Sequence, residues 1–210
     1  MHESLKAKDE NFNYATSPFN LNNIYKSEGS ILKISEQNKE KISGITIPWV
    51  YMGMLFSTFC WHVEDLWLNS INYSHKGGIK TWYVIPESDK DKFDAYVLNK
   101  TGKREFLNSI TFMIDPLELM EHGIKVYKTY QHPKDYVLTL FGAYHCGFAQ
   151  GFNVGEAVNV GTVDSYNEMK KALKAAALYK SQKPPVLCYE WLVSGNVNNP
   201  AINTEHVIYL

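Results

Sequence analysis

Cysteine is scarce in this chain: Cys60, Cys146 and Cys188 are the only three among 210 residues, and none is spaced as C-x-x-C. An odd, unmatched set argues against a disulfide framework and against a structural zinc knuckle, and it predicts a reducing compartment. Charge of one sign is also lacking. Against 21 lysines and arginines stand 22 aspartates and glutamates, a formal net charge of −1. No global field therefore draws the chain to nucleic acid or to an anionic membrane, sequence-specific nucleic-acid binding is not expected, and a cationic partner has to be captured locally. Long apolar runs are absent too. Without eighteen consecutive apolar residues or a basic-then-apolar leader, neither a membrane span nor a secretory signal is expected, and the chain reads as soluble and intracellular.

What the sequence has is core material, 45% hydrophobic and 14% aromatic residues, enough for one sizeable domain. Residues 1–43 are polar, with scattered anchors at Phe12, Tyr14, Phe19, Leu21, Ile24, Ile31 and Leu32, and read as a lead-in that packs on a core made elsewhere. Strands are predicted at 45–59 (punctuated by Pro48 and Gly53), 66–73 and 80–85, with a turn at 75–78. Further strands are predicted at 126–131, 136–141, around His145, and at 157–162. Helices are predicted at 87–99, at 116–122 before Gly123, and at 165–179, with an irregular tail after Pro184-Pro185. Many short strands broken by turns favour a mainly β jelly roll, a double-stranded β-helix with peripheral helices, over a parallel sheet. The expected division is a lead-in over 1–43, a catalytic jelly roll over 44–164, and a helical C-terminal segment and tail over 165–210.

Within Phe56-Ser-Thr-Phe-Cys-Trp-His62-Val-Glu64 the alternation of an extended chain puts His62 and Glu64 on one face and turns Val63 to the core. Far downstream, His145 sits between Gly142 and Gly147, which permit close backbone approach. Two imidazoles and a carboxylate are the ligand set of a non-haem iron(II) oxygenase, with positions left open for a cosubstrate and dioxygen. Each residue alone has a plainer reading. A histidine on an apolar strand is more often a satisfied core residue, and the same ligands serve zinc or manganese in other cupin-like sites. Asn72 and Lys80, ten and eighteen residues after His62, lie in apolar strand patterns where polar groups need partners. A dicarboxylate would supply one, with Ser70 on the same face as Asn72, although Lys80 alone also reads as an exposed strand residue. Cys60 and Cys146, beside the histidines, read as small core residues.

The ordered motifs Gly44-Ile-Thr-Ile-Pro-Trp-Val-Tyr51, Trp-His62-Val-Glu64-Asp, Ser70-Ile-Asn72-Tyr, Lys80-Thr-Trp82-Tyr, Tyr144-His145-Cys-Gly-Phe, Gly151-Phe-Asn153 and Glu156-Ala-Val-Asn159 resemble the jumonji C (JmjC) family over residues 12–164. The stretch Tyr14-Ala-Thr-Ser-Pro-Phe-Asn-Leu-Asn-Asn23 is similar to the JARID branch, whose members demethylate lysine 4 of histone H3. The resemblance implies a cupin-like fold, Fe(II), 2-oxoglutarate and O2, a histone tail carrying methyl-lysine as partner, and a nuclear setting. It assigns iron to His62, Glu64 and His145, and 2-oxoglutarate to Lys80, Asn72 and Ser70 with Phe59 and Trp82 as walls. The substrate pocket falls to Tyr51, Gly53, Ala157 and Asn159. The implied reaction hydroxylates an N-methyl carbon and releases formaldehyde. A JmjC protein hydroxylase and a catalytically weak chromatin scaffold are the alternatives. In the family an upstream tyrosine also contacts the distal carboxylate of 2-oxoglutarate; with no obvious equivalent here, Tyr14 and Tyr25 are the candidates for that contact.

Overall fold

The computed structural model describes residues 13–33, 41–103, 106 and 111–178. The start of the lead-in with Phe12, the tail around Pro184-Pro185, and Cys188 lie outside the described residues. Among those described, eight strands form two four-stranded antiparallel sheets. The strands are β1 Trp49–Gly53, β2 Thr58–His62, β3 Asn69–Gly77, β4 Lys80–Ile85, β5 Tyr127–Gln131, β6 Tyr136–Thr139, β7 Tyr144–Ala149 and β8 Asn153–Val160. One sheet has the order β1-β8-β3-β6 and the other β2-β7-β4-β5, so each mixes strands from the two halves of the chain. The fold is the cupin-like jelly roll, and this interleaving is what lets residues far apart in sequence become neighbours.

Several boundaries differ from the sequence reading, each for a local reason. Strand β3 starts at Asn69 because Leu66 and Trp67 adopt left-handed φ values of 54° and 53° in the tight turn Asp65–Trp67, which swings the chain from one sheet to the other. The same strand runs through the expected turn at His75, because its pairing with β8 continues to Gly77 opposite Asn153. Gly77 has φ 102°, and a Cβ there would lie 2.1 Å from the Phe152 carbonyl oxygen, so only glycine allows the two backbones to approach. Strand β8 accordingly begins at Asn153, and residues 45–48 form a turn that buries Ile45 in place of a strand.

Among the described residues, four α-helices decorate the sheets: α1 Leu21–Ile24, α2 Lys90–Thr101, α3 Pro116–Glu121 and α4 Ser165–Leu178. Their ends follow from ordinary capping chemistry. The Asp115 carboxylate accepts from Leu117 N at the start of α3, with Pro116 in the first turn, and Gly102 closes α2 at φ 69°. The predicted helix from 87 begins as the 3₁₀ turn Glu87–Asp89 and becomes α-helical only at Lys90. No helix among the described residues is long and apolar enough to cross a membrane.

The apolar cores lie outside the space between the sheets. Trp61, Ile85, Phe93, Val97, Leu119, Tyr144 and Cys146 pack the back of the second sheet against α2 and α3, and Trp61 Nε1 donates to Ile114 O at 2.9 Å. Leu21 of the lead-in packs with Tyr73 and Val158 on the back of the first sheet. Ile31, Leu32, Ile45, Leu66, Leu68, Tyr166 and Met169 form a third cluster that includes α4. Lys90, 5% exposed, pairs with Asp94 at 2.7 Å and lies 4.5 Å from the Trp67 ring, tying α2 to the turn after the second strand.

Gly147 of β7 faces Phe59 and Trp82 across its neighbouring strands. A Cβ at this position would meet Thr81 O at 2.1 Å and Phe59 Cζ at 2.6 Å, with backbone on one side and a packed ring on the other. Gly147→Ala is expected to destabilise the fold by about 3 kcal/mol through overpacking, measured as a lower urea midpoint with unchanged slope.

Candidate metal centre

His62 closes β2 and His145 is the second residue of β7, directly opposite it, with ring centroids 4.3 Å apart. That meeting depends on a β-bulge. From Phe59 to His62 the second strand advances three residues while its partner advances two, from Gly147 to His145. In a regular strand residues 59 and 62 would face opposite ways; the extra residue brings both onto the inner face. Glu64 follows with extended backbone, φ −67° and ψ 154°, while Val63 packs into the outer core, as alternation requires.

Both imidazoles are oriented by the carbonyl two residues upstream. His62 Nδ1 lies 2.8 Å from Cys60 O and His145 Nδ1 lies 3.0 Å from Ala143 O. A carbonyl only accepts, so each Nδ1 carries the proton and each Nε2 presents a lone pair. The Nε2 of His145 faces Glu64 Oε1 at 3.3 Å, a contact that places one cation between them, either a proton on the imidazole or a metal ion in its place. One ligand atom from each of His62, Glu64 and His145 lies within 4.8 Å of the others.

Electrostatics favour the metal-binding protonation states. Burial, then the neighbouring His145, pushes His62 below its ordinary pKa, which keeps it neutral. For Glu64 burial acts upward, but the hydrogen bond and charge of His145, the charge of His62 and the Asn159 amide outweigh it and hold the carboxyl at about 2. Two imidazoles and one carboxylate suit a divalent transition metal such as iron.

The inner faces beyond these residues carry polar groups beside an aromatic pair. Asn72, Ser70 and Asn159 share the first sheet's inner face, Ser70 opposite Asn159 and Asn72 opposite Ala157. Lys80 and Trp82 belong to the other sheet. Lys80 is half-buried, makes no ion pair among the described residues, and has its ammonium 5.8 Å from the Tyr51 ring; burial pushes its pKa down. A Cβ on Gly155 would sit 3.6 Å from Lys80 Nζ and 3.8 Å from Asn72 Oδ1, so this glycine keeps the space between them open. Phe59 and Trp82 meet edge to face at 4.7 Å, and Trp82 stacks on His145 at 6.1 Å.

Some sequence-predicted residues also have protein partners of their own. Asn159 donates to Glu64 Oε2 at 2.9 Å and to Asn69 O at 3.3 Å, so it holds the carboxylate in place. The Ser70 hydroxyl is bonded to Thr139 Oγ1 at 2.6 Å. Tyr51 stands at the mouth, 44% exposed, opposite Gly155, and Gly53 lies farther along β1 against Asn153. Neither tyrosine candidate for the distal carboxylate reaches the cavity. Tyr14 stacks on Tyr73 at 4.4 Å on the outer face, donates to Glu156 and accepts from Leu21 N at 2.9 Å, while Tyr25 packs against the cluster around Ile31. The reason is alternation along β8: Gly155 faces inward, so Glu156 and its partner Tyr14 lie outside. Gln131 was missed altogether. It is a fully buried polar residue ending a strand, and its polarity at an inward position was the available signal.

Comparison with known proteins agrees with this geometry. Residues 49–160 match the JmjC domain, described as a hydroxylase. The chain is 38% identical over 203 residues to lysine-specific demethylase JMJ17 of Arabidopsis thaliana, covering 94% of this chain and 16% of that protein. It is 42% identical over 166 residues to lysine-specific demethylase 5B of Gallus gallus, covering 76% and 11%, and 41% identical over 156 residues to lysine-specific demethylase JMJ703 of Oryza sativa subsp. japonica, covering 72% and 12%. The chain thus spans only about a sixth or less of the length of these relatives. With the profile matched over more than half of its residues, on the strands that carry the His62, Glu64 and His145 cluster, this chain belongs to the JmjC domain family.

Proposed function

We propose that this chain is the catalytic core of an Fe(II)- and 2-oxoglutarate-dependent dioxygenase that demethylates methyl-lysine in a histone tail, with lysine 4 of histone H3 as the first candidate and the nucleus as its setting. The observation that carries the reading is the convergence of His62, Glu64 and His145 within 4.8 Å, beside a half-buried lysine that has no carboxylate partner among the described residues. When bound, iron would activate dioxygen at the expense of 2-oxoglutarate, which leaves as succinate and carbon dioxide.

The protein's own part is positioning. His62, Glu64 and His145 would hold the metal, and the chemistry it would supply is activation of dioxygen beside the cosubstrate. Asn159 keeps Glu64 aligned, and the carbonyls of Cys60 and Ala143 hold both imidazoles in the ligating tautomer. The Lys80 ammonium suits the distal carboxylate of a dicarboxylate, and the Asn72 amide suits the carboxylate nearer the metal. Phe59 and Trp82 form an apolar wall that excludes water from the reacting groups. Tyr51 at the mouth offers a ring face to a methylated ammonium, and the small Ala157 leaves it room. Hydroxylation of the N-methyl carbon takes a hydrogen from carbon and needs no lone pair on nitrogen, so trimethyl-lysine is accessible; the hydroxymethyl product releases formaldehyde and the lysine amine.

Methylated histone peptides incubated with iron(II), ascorbate and 2-oxoglutarate are expected to lose the mass of one methylene at a time, read by mass spectrometry. A stable gain of one oxygen would instead show a protein hydroxylase, and no change across a peptide panel would show a scaffold. His62→Ala is expected to abolish metal binding and turnover. Lys80→Ala is expected to raise KM for 2-oxoglutarate at least about tenfold with kcat largely kept, the size of a lost charged hydrogen bond. Asn159→Ala should weaken divalent-metal affinity about 10- to 100-fold, as loss of an orienting partner does, measured by cobalt(II) titration.

A further inference from the structure

Gln131, last residue of β5, is 1% exposed and makes hydrogen bonds in both sheets. Its Oε1 accepts from Trp82 Nε1 at 3.1 Å. Its Nε2 donates to Asn72 Oδ1 at 3.0 Å, to the Asn72 carbonyl at 3.1 Å and to the Asp135 carbonyl at 3.2 Å. The direction of this amide is dictated by its neighbours. An indole N–H can only donate, so the atom beside it has to be the oxygen; two backbone carbonyls can only accept, so the other end has to be the NH2 group.

That polarity is passed to Asn72. The atom facing the Gln131 NH2 group has to be an acceptor, so it is Oδ1, and the Asn72 NH2 group is left as the remaining polar end of that side chain. No protein acceptor is bonded to Asn72 Nδ2 among the described residues. The Lys80 ammonium, which offers donors only, lies within 4 Å of the space kept by Gly155, as does Asn72 Oδ1.

We propose that Gln131 is a positioning residue that sets the hydrogen-bonding polarity of the cosubstrate cavity: anchored on Trp82, it holds Asn72 with its amide nitrogen offered to the ligand, so that this wall selects a carboxylate. The inference rests on the reading that the cavity takes 2-oxoglutarate. A polar core residue of the second sheet thereby acts on the ligand only through a residue of the first.

The test is a double-variant cycle on the complete chain, with Gln131→Met, Asn72→Ala and the two combined. Affinity for 2-oxoglutarate is measured by calorimetry without oxygen, with manganese(II) in the metal site, alongside manganese affinity itself, unfolding temperature and the separate values of KM and kcat. Each single variant is expected to weaken 2-oxoglutarate about tenfold, the scale of one hydrogen bond to a charged group. The combined variant should be no more than about twofold weaker than Asn72→Ala alone, because Gln131 acts through Asn72. Manganese affinity should stay within about twofold, and the loss should appear in KM with kcat retained. Independent losses that multiply in the combined variant, or unchanged 2-oxoglutarate affinity in Gln131→Met, would overturn the proposal. Should Gln131→Met not fold, Gln131→Glu runs through the same cycle; it keeps the shape and the acceptor for Trp82 but has no N–H for Asn72. A wild-type chain that binds manganese but not 2-oxoglutarate would remove the cosubstrate reading itself, an outcome separable from failure of the cycle.

Discussion

Everything at the centre of this molecule depends on the register between β2 and β7. One extra residue in the second strand lets Phe59 and His62 share the inner face, one facing Gly147 and the other facing His145. Without that bulge the imidazole and the ring beside it would sit on opposite sides of the sheet. The bulge also leaves Trp61 free to enter the outer core, where its indole bonds to Ile114 O, so the irregularity is held by apolar packing on the far side. The His62, Glu64 and His145 cluster is therefore stabilised from outside the cavity it faces.

That division of labour runs through the whole fold. A typical β-sandwich buries its apolar side chains between its sheets. Here the apolar clusters lie against helices and the lead-in, and the space between the sheets carries Asn72, Ser70, Lys80, Gln131, Asn159 and His145. Several of these polar groups find protein partners, Ser70 on Thr139, Asn159 on Glu64, and Gln131 on Trp82 and Asn72, whereas Lys80 makes no ion pair among the described residues. Each bond also fixes a donor and acceptor direction, so the network orients groups as well as satisfying them.

Much of this was legible from residue order. The two-residue spacing of His62 and Glu64 encodes a shared face in extended chain, and Val63 between them goes to the core as that spacing requires. The short strands and their turns gave the jelly roll, and β4 appears where alternation and the flanking Gly78 and Pro86 put it. The failures cluster where long-range pairing overrides local pattern. Strand β3 extends past His75 because β8 is there to receive it, and Leu66 leaves the strand because the chain has to change sheets. Tyr14 looked free to serve the cavity, yet its hydroxyl is committed to Glu156 on the opposite face.

By itself the sequence determined the candidate site's residue types, their alternation and the strand-rich architecture, since hydrophobic period and side-chain chemistry are local properties. Only the tertiary structure decided which distant groups meet and in which direction they point. The meeting of His62 with His145, the hold of Asn159 on Glu64 and the polarity relay from Trp82 through Gln131 to Asn72 all cross between strands remote in the chain. Their pairing is set by register and by the rule that a donor has to find an acceptor, and neither is written in any single segment.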